Sequence, residues 1–430
     1  MAGEGTTPEA MPNDPRMRGF RTRTGVDEAI ALIAARVRAL GAEAIDFTQA
    51  AGRILAREVI AGEPVPPFDR AAMDGYAVRG EETFGASTYN PAPFRLVGIA
   101  RPGHACHVEV GPGEAAQIAT GAALPRGADT VVKVESTHVE GEAVWVSEPT
   151  PPGRHVGRRG EDIEAGTVVL SAGRILRPQD LGVLSSVAAR SIDVVRRPRV
   201  AVIVTGDELL PPGTPALGFQ IADANSVMLA ALIARDGGIA RVIGPLPDDR
   251  DRIRREIVEA SASADAVLIS GGSSAGPEDH APGLVAELGE LAVHGVALRP
   301  AGPAGIGFLE AKEVPVVLLP GNPVSCLCAY DFFAGPIVRA LGGRPRGWPY
   351  RSVSLPLARK LVSVVGRVDY ARVRIVQDRV DPLAISGASI LSSTTRADGF
   401  VVIPADLEGY PIGASVTVWL YELCASTDLL

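Results

Sequence analysis

The chain has little cysteine, little histidine, few aromatic residues and no surplus of positive charge. Its four cysteines, Cys106, Cys326, Cys328 and Cys424, make no disulfide framework, so a reducing cytoplasm is the expected compartment. Cys326 and Cys328 stand two apart in a helical pattern and point away from each other, which disfavours a pair between them. Lys and Arg total 42 against 50 Asp and Glu, a net charge of −8. That balance excludes a general nucleic-acid binder while leaving room for a local basic pocket. Residues 1–18 lack the apolar core of a signal peptide and read as a floppy extension. No run approaches the length of a membrane span. What the chain has in quantity is glycine (48) and proline (35), without a short period, which fits many turns and short strands. At 430 residues, two to four domains are expected.

Hydrophobic periodicity divides the chain. Val26–Leu40 reads as an amphipathic helix, with Ile30, Leu32, Ile33, Val37 and Leu40 at helical spacing. Short β-like runs (Arg95–Ile99, Ala115–Ile118, Thr130–Glu135, Ala143–Val146) then alternate with Gly and Pro turns, predicting a small β domain. A second helix is expected near Gln179–Ala189, closing back on the first. From Arg199 to Leu341 strands (200–204, 239–243, 266–269, 291–298, 314–319) alternate with helices (225–235, 249–262, 281–288, 323–340), the signature of a parallel sheet with helices on both faces. Short strands return after Gly342, at Arg372–Val376, Phe400–Ile403 and Ser415–Tyr421.

Three of the predicted strands run straight into small-residue or acidic turns. In an open α/β sheet such loops gather in one crevice at the carboxyl ends of the strands, where ligands bind. Ser270-Gly271-Gly272-Ser273-Ser274-Ala275-Gly276 offers free backbone N–H groups and hydroxyls, which suits an oxyanion. Pro320-Gly321-Asn322-Pro323-Val324-Ser325 opens a helix, and its first-turn amides and Ser325 suit the same ligand; as structure alone it is simply a helix start. Thr205-Gly206-Asp207-Glu208, Asp248-Asp249 and Glu278-Asp279 bring carboxylates to the crevice, which suits Mg²⁺ completing its shell with water and phosphate oxygens. Asp248-Asp249 equally suits capping of the following helix. Arg299, in a Pro- and Gly-rich stretch after another strand, adds a guanidinium able to grip an oxyanion with two parallel bonds. The run from Pro66 to Tyr76 reads as a structured loop. His104-Ala105-Cys106-His107 lacks a second ligand cluster and is taken as structural.

Taken together, these segments resemble the MoeA/gephyrin family of molybdopterin molybdenumtransferases, from about Val26 to the C-terminus. The marks are Phe68-Asp69 with Ala72-Met73-Asp74-Gly75-Tyr76-Ala77, Thr120-Gly121-Ala122 with Gly127-Ala128-Asp129, Arg159-Gly160-Glu161-Asp162-Ile163, Thr205-Gly206-Asp207-Glu208-Leu209, Ser270-Gly271-Gly272, and Pro320 to Ser325. The resemblance implies a multidomain α/β plus β chain: an extension over 1–18, an elongated discontinuous linker domain (19–45 and 152–190), an inserted β domain (46–151), a MogA-like three-layer α/β domain that binds molybdopterin (191–343) and a C-terminal β-barrel-like domain (344–430). It implies a cytoplasmic homodimer in which the loop around Asp69 and Asp74 faces the partner's crevice. The implied reaction inserts molybdenum from molybdate into adenylylated molybdopterin, with Mg²⁺-dependent release of AMP. A MogA-type adenylyltransferase and molybdoenzyme-specific chaperones are the implied partners.

By position, Glu208, Asp248 and Asp279 are the implied Mg²⁺ ligands, and Asp69, Asp162, Asp279 and Arg299 the catalytic set. Thr205, Gly206, Gly271, Gly272, Ser274, Gly321, Asn322 and Ser325 are the implied pocket for molybdopterin and molybdate. Departures are visible. Where the family usually carries Lys-Pro-Gly-Lys-Pro, this chain has Arg299-Pro300-Ala301-Gly302-Pro303, keeping the first cation and losing the second. Asn-Ser after Phe-Asp becomes Arg70-Ala71, and a Val and an acidic residue after Ser270-Gly271-Gly272 become Ser273 and Pro277. Arg70, Arg367, Arg372 and Arg396 are candidates to restore the missing charge. Two other functions remain open: a non-catalytic molybdopterin-binding chaperone or scaffold, and an enzyme of the same fold acting on tungstate.

Overall fold

A computed structural model describes residues 23–273, 279–310, 312–384 and 387–421. The expected extension over 1–18, and Ser274, lie outside these residues. By contacts the chain forms two units, one comprising the described residues up to Glu43 together with those from Val195 onward, the other Ala44–Val194. The helix Val26–Arg36 packs Val26, Ala29 and Ile33 into the core of the first unit. The helix Pro178–Ser186, expected to close on it, belongs to the second.

The first unit is built on a six-stranded sheet. Its elements in chain order are β1 (Arg199–Thr205), α1 (Asn225–Arg235), β2 (Ile239–Leu246), α2 (Arg250–Ser263), β3 (Ala266–Ser270), α3 (Ala281–Leu288), β4 (Gly289–His294), β5 (Gly305–Leu309), β6 (Val314–Leu319) and α4 (Pro323–Leu341). The strand order is β2-β1-β3-β6-β5-β4. β2, β1, β3 and β6 run parallel. β5 runs antiparallel to both β6 and β4, so the sheet is mixed and not the all-parallel one expected from the alternation. Every residue of β3 and β6 is buried, as continuous apolar strands covered on both faces must be. On one face Val200, Val202 and Val204 meet Leu229, Ile233, Phe333 and Ile337. On the other, Ala201 and Ile203 meet Ile253, Ile257, Leu284 and Val285, giving three layers.

The expected strand 291–298 is split. β4 ends at His294, Gly295 turns the chain at φ 89°, and Leu298–Arg299 joins a different sheet beside Val368–Asp369. β5 follows, a strand not read from the sequence because its glycines suggested a loop.

α4 corrects another expectation. By length and composition it is apolar enough to cross a membrane, with a mean hydropathy of 1.4, yet all of it is buried inside the unit. Ser325, Asp331 and Arg339 break its apolar run, and the two charged residues bond within the protein. Asp236 at the end of α1 accepts from Arg339 Nη1 at 2.8 Å, Tyr330 OH at 3.0 Å and Arg235 Nη2 at 3.2 Å. Tyr350 OH donates to Asp331, and Trp348 Nε1 donates to the Asp331 carbonyl. Burial pushes the Asp331 carboxyl up to about 6, against the pull of Arg235 and the Tyr350 hydroxyl. At Tyr330–Ala334 the helix opens into one π turn.

The C-terminal sheet of this unit orders Leu298–Arg299, Val368–Val376, Gly399–Ile403, Ser415–Leu420 and Arg351–Pro356, with Arg379–Ala384 paired to Val368–Val376. In the second unit, Thr130–Lys133, Gly75–Val78, Glu114–Ile118, Ala92–Ala100, Ala143–Val146 and Thr137–Glu140 form a six-stranded sheet in that order.

Candidate functional site

The carboxyl edge of β1, β3 and β6 is where the sequence-predicted loops meet. Gly271 N donates to Leu319 O at 3.3 Å, fastening the turn after β3 to the end of β6. A Cβ on Gly271 would stand 2.2 Å from Thr205 O, and one on Gly272 would stand 3.4 Å from Thr205 Oγ1 and 3.9 Å from Asp279 Oδ1. A Cβ on Gly321 would lie 3.9 Å from the Gly271 Cα. Thr205, Gly271, Gly272, Asp279 and Gly321 are therefore neighbours. Gly271 (φ 100°) and Gly272 (φ 56°) take a backbone path that side chains rarely adopt, and their lack of a Cβ lets the turn pass close over the Thr205 end of β1. Thr205 Oγ1 is buried there, beside the Asp248 carboxyl.

The acidic side of the edge lies after β1 and β2. Gly206 N donates to Leu246 O at 3.0 Å, and the Glu208 carboxylate folds back to within 2.5 Å of where a Gly206 Cβ would be. Asp248 and Asp207 are reciprocally bonded: Asp248 N donates to Asp207 Oδ1 at 3.1 Å and Asp207 N to Asp248 Oδ2 at 3.4 Å. The helix cap is Asp249, which accepts from Arg252 N at 2.7 Å, and not Asp248. Burial raises the Asp248 pKa and the charges of Asp207 and Glu208 raise it further, while the Asp207 amide opposes them. Among the described residues no three His, Cys, Asp or Glu side chains form a ready metal cage.

The raised pKa of Asp248 gives a stability prediction. In the folded chain this carboxyl keeps its proton to higher pH than the ordinary 3.8, so its ionised form opposes folding. That penalty is absent below 3.8 and grows as pH rises through the folded value. Asp248→Asn is expected to raise the urea midpoint at neutral pH and to leave it unchanged in acid. A lowered midpoint at neutral pH would contradict this account.

The remaining expected residues take varied places. Asn322 caps α4, its carbonyl accepting from Cys326 N at 2.9 Å. Ser325 is buried, and the Val324 amide is held by Ala388 O. Arg299 is half-buried at the start of the turn that enters β5. Gly305 of β5 lies across from Leu318, so this turn opens at the same edge as Pro320-Gly321. Asp69 and Asp162 are in the second unit, on two loops laced together. Arg159 N donates to Asp69 Oδ1 at 2.7 Å, Gly160 N to Pro66 O at 2.9 Å and Asp162 N to Val65 O at 3.1 Å. Asp74 accepts from both the amide and hydroxyl of Thr120, which holds its pKa below the usual range. Of the arginines considered as replacement cations, Arg70 faces Glu161, Arg367 is paired with Asp369, Arg372 is fully buried and Arg396 Nε donates to Ser392 O.

Two crevice residues escaped sequence reading. Asn225 Nδ2 donates to Ser270 Oγ at 2.9 Å and to Gly321 O at 2.8 Å, tying the β3 and β6 turns to α1. His294 ends β4 with Nε2 at 3.2 Å from Ser273 O. Neither sits in a turn motif; Asn225 stood at the predicted start of a helix and His294 inside a predicted strand. Cys326 also lies here, but burial pushes its thiol up to about 12, so it is not a nucleophile at neutral pH. An apolar hollow walled by Ile257, Val258 and Leu288 opens at the opposite edge of the sheet and takes no part.

Comparison with known proteins follows this layout. Residues 24–188 match the MoeA N-terminal region (domain I and II), 201–340 a probable molybdopterin binding domain and 354–421 the MoeA C-terminal region (domain IV). Molybdopterin molybdenumtransferase 2 of Mycobacterium tuberculosis is 36% identical over 92% of this chain and 98% of its own length. A putative molybdopterin biosynthesis protein of Methanocaldococcus jannaschii is 36% identical over 88% of this chain and 92% of its own. A crystal structure of a molybdopterin biosynthesis MoeA protein from Pyrococcus horikoshii superposes with a TM-score of 0.81 at 34% identity, covering 93% of this chain and 100% of that one. With three family regions in order and relatives matched over nearly their full length, the chain belongs to the MoeA family of molybdopterin molybdenumtransferases, enzymes of molybdenum-cofactor biosynthesis.

Proposed function

We propose that the crevice at the carboxyl edge binds adenylylated molybdopterin and molybdate, and that molybdenum passes to the dithiolene sulfurs as AMP is released. The observation that supports this is the meeting of three strand-end turns, with bare glycine backbone at Gly271, Gly272 and Gly321 beside Thr205 and Asp279. Exposed amides at such turns suit phosphate and molybdate oxygens. Thr205, Gly206, Asn322 and Ser325 line or frame the same pocket, with Arg299 at its cationic side.

The carboxylates of Glu208 and Asp248, with Asp279, fit Mg²⁺. Burial, and after it the charges of Asp207 and Glu208, raise the Asp248 pKa, and a cation relieves that repulsion. Mg²⁺ is commonly held by only one or two carboxylates plus substrate phosphates, so a closed cage is not required. When bound, the ion would neutralise charge on the adenylyl phosphate. Asp69 and Asp162, on their laced loops, complete the site from the partner subunit of a homodimer. The enzyme works in the cytoplasm, receiving substrate from a MogA-type adenylyltransferase and handing product to molybdoenzyme-specific chaperones. Nothing favours the scaffold or tungstate alternatives.

The test is release of AMP when full-length protein meets adenylylated molybdopterin, molybdate and Mg²⁺. Asp279→Asn is expected to lower that rate by about a hundredfold or more while leaving the circular dichroism spectrum unchanged. No AMP above background from the natural chain would overturn the reading, and undiminished turnover in the variant would remove Asp279 from the site.

A further inference from the structure

We propose that Arg23 is a specificity-determining residue of this pocket, its guanidinium acting with that of Arg299 to grip one tetrahedral dianion. The inference rests on the proposed function and assigns its anion-binding end. It starts from the turn that carries Arg299. That turn is closed on itself by three backbone bonds: Val296 N to Gly302 O at 2.9 Å, Gly295 N to Ala304 O at 3.0 Å and Ala304 N to Ala301 O at 3.0 Å.

The segment before the first helix is fastened to the same turn. Thr24 N donates to Gly295 O at 3.0 Å, and Ala297 N donates to Thr24 O at 2.9 Å. Arg23 therefore leaves the backbone at a fixed point, immediately beside the turn. Its guanidinium lies where a side chain on Gly302 would project: a Cβ there would stand 3.8 Å from Arg23 Cζ and Nη1, with the Leu298 carbonyl, also at 3.8 Å, as its other near neighbour. Glycine at 302 leaves this space to an arginine supplied from a distant part of the chain.

Several arginines of the unit are held by carboxylates. Arg196 is paired with Asp265, Arg235 with Asp236 and Asp331, Arg241 with Glu259, and Arg250 with Glu287. Neither Arg23 nor Arg299 has an acidic partner among the described residues. Two uncompensated guanidinium groups thus bracket one rigid turn, and that turn opens at the edge where the glycine-rich amides converge. Guanidinium presents paired donors matched to tetrahedral oxyanions. The ligand class is a tetrahedral dianion, supplied either by free molybdate or by the phosphate of the adenylyl group.

The experiment is calorimetric titration of the full-length protein with sodium molybdate and, separately, with AMP. Arg23→Ala is expected to weaken one of the two by roughly ten- to a hundredfold, the loss of a charge-assisted contact, and Arg23→Lys to weaken it less. Which anion loses affinity identifies the source of the dianion. Gly302→Leu, which displaces the guanidinium without altering Arg23, should reproduce the loss. Adding Gly302→Lys to Arg23→Ala should recover most of the affinity by placing an ammonium in the vacated space. Arg23 is exposed, so unchanged thermal melting is expected in Arg23→Ala and Arg23→Lys. If Arg23→Ala binds both anions as the natural chain does, the assignment fails while AMP release still supports the proposed function. If the natural chain binds neither and releases no AMP, both fall together.

Discussion

Replacing Asp236 with alanine is expected to cost the first unit about 3–5 kcal/mol, seen as a large drop in the urea midpoint followed by Trp348 fluorescence. The size follows from what the carboxylate holds. Asp236 is 1% exposed and accepts from Arg339, itself 3% exposed, from the Tyr330 hydroxyl and from Arg235. Removing it strands the Arg339 charge inside a nearly dry interior, and an unpaired buried ion costs far more than a surface pair contributes. Asp265→Ala is the comparison: its partner Arg196 is 36% exposed, so water can replace the lost carboxylate and a smaller loss is expected. A drop for Asp236→Ala no larger than that for Asp265→Ala would show that the network does not hold α4 in place.

Gly271→Ala is expected to be the most damaging single change in the crevice, costing roughly 2 to 5 kcal/mol from backbone strain and overpacking together. The added methyl would sit 2.2 Å from Thr205 O and 3.0 Å from Thr205 Oγ1, at a φ of 100°. The obstructing atom is a backbone carbonyl at the end of a fully paired core strand, so it cannot swing aside as a side chain would. Either the β3 turn moves or β1 shifts, and both carry the pocket with them. Gly302→Ala makes the contrast, since its methyl meets nothing closer than 3.8 Å and its φ is ordinary. Equal stability of the two variants would mean that the Gly271 turn is free to relax.

The loops after β1, β3 and β6 were legible because each follows an apolar run of strand length and breaks at glycine or a carboxylate. That signal is local. β5 was hidden for the opposite reason. Gly305-Ile306-Gly307-Phe308-Leu309 follows a Pro- and Gly-rich turn and is a strand only because β6 and β4 pair with it on either side. The same reversal explains why 291–298 looked continuous: its apolar residues are buried in two different sheets, with Gly295 between them. The family marks named the candidate site residues. They did not reveal that Asn225 bridges Ser270 to Gly321, that His294 meets Ser273 or that Arg23 overlies Gly302. Each of these contacts joins residues far apart in the chain, and spacing along the sequence carries no trace of them. The sequence did not say which of Asp248 and Asp249 caps the helix; the capping bond goes to Asp249.

The π turn at Tyr330–Ala334 has a consequence for any shortened version of this chain. Such a turn holds one residue more than the α-helix around it. Deleting one residue there would restore regular winding and leave the half of α4 before it nearly in line with the half after it, because the extra residue is held within a single full turn. Cys326 would then stay beside Ser270 and the Pro320-Gly321 turn beside Gly271, while Arg339 stayed seated on Asp236. A homologue lacking that extra residue can therefore aim both halves of its helix the same way, its sequence aligning on both sides of a one-residue gap.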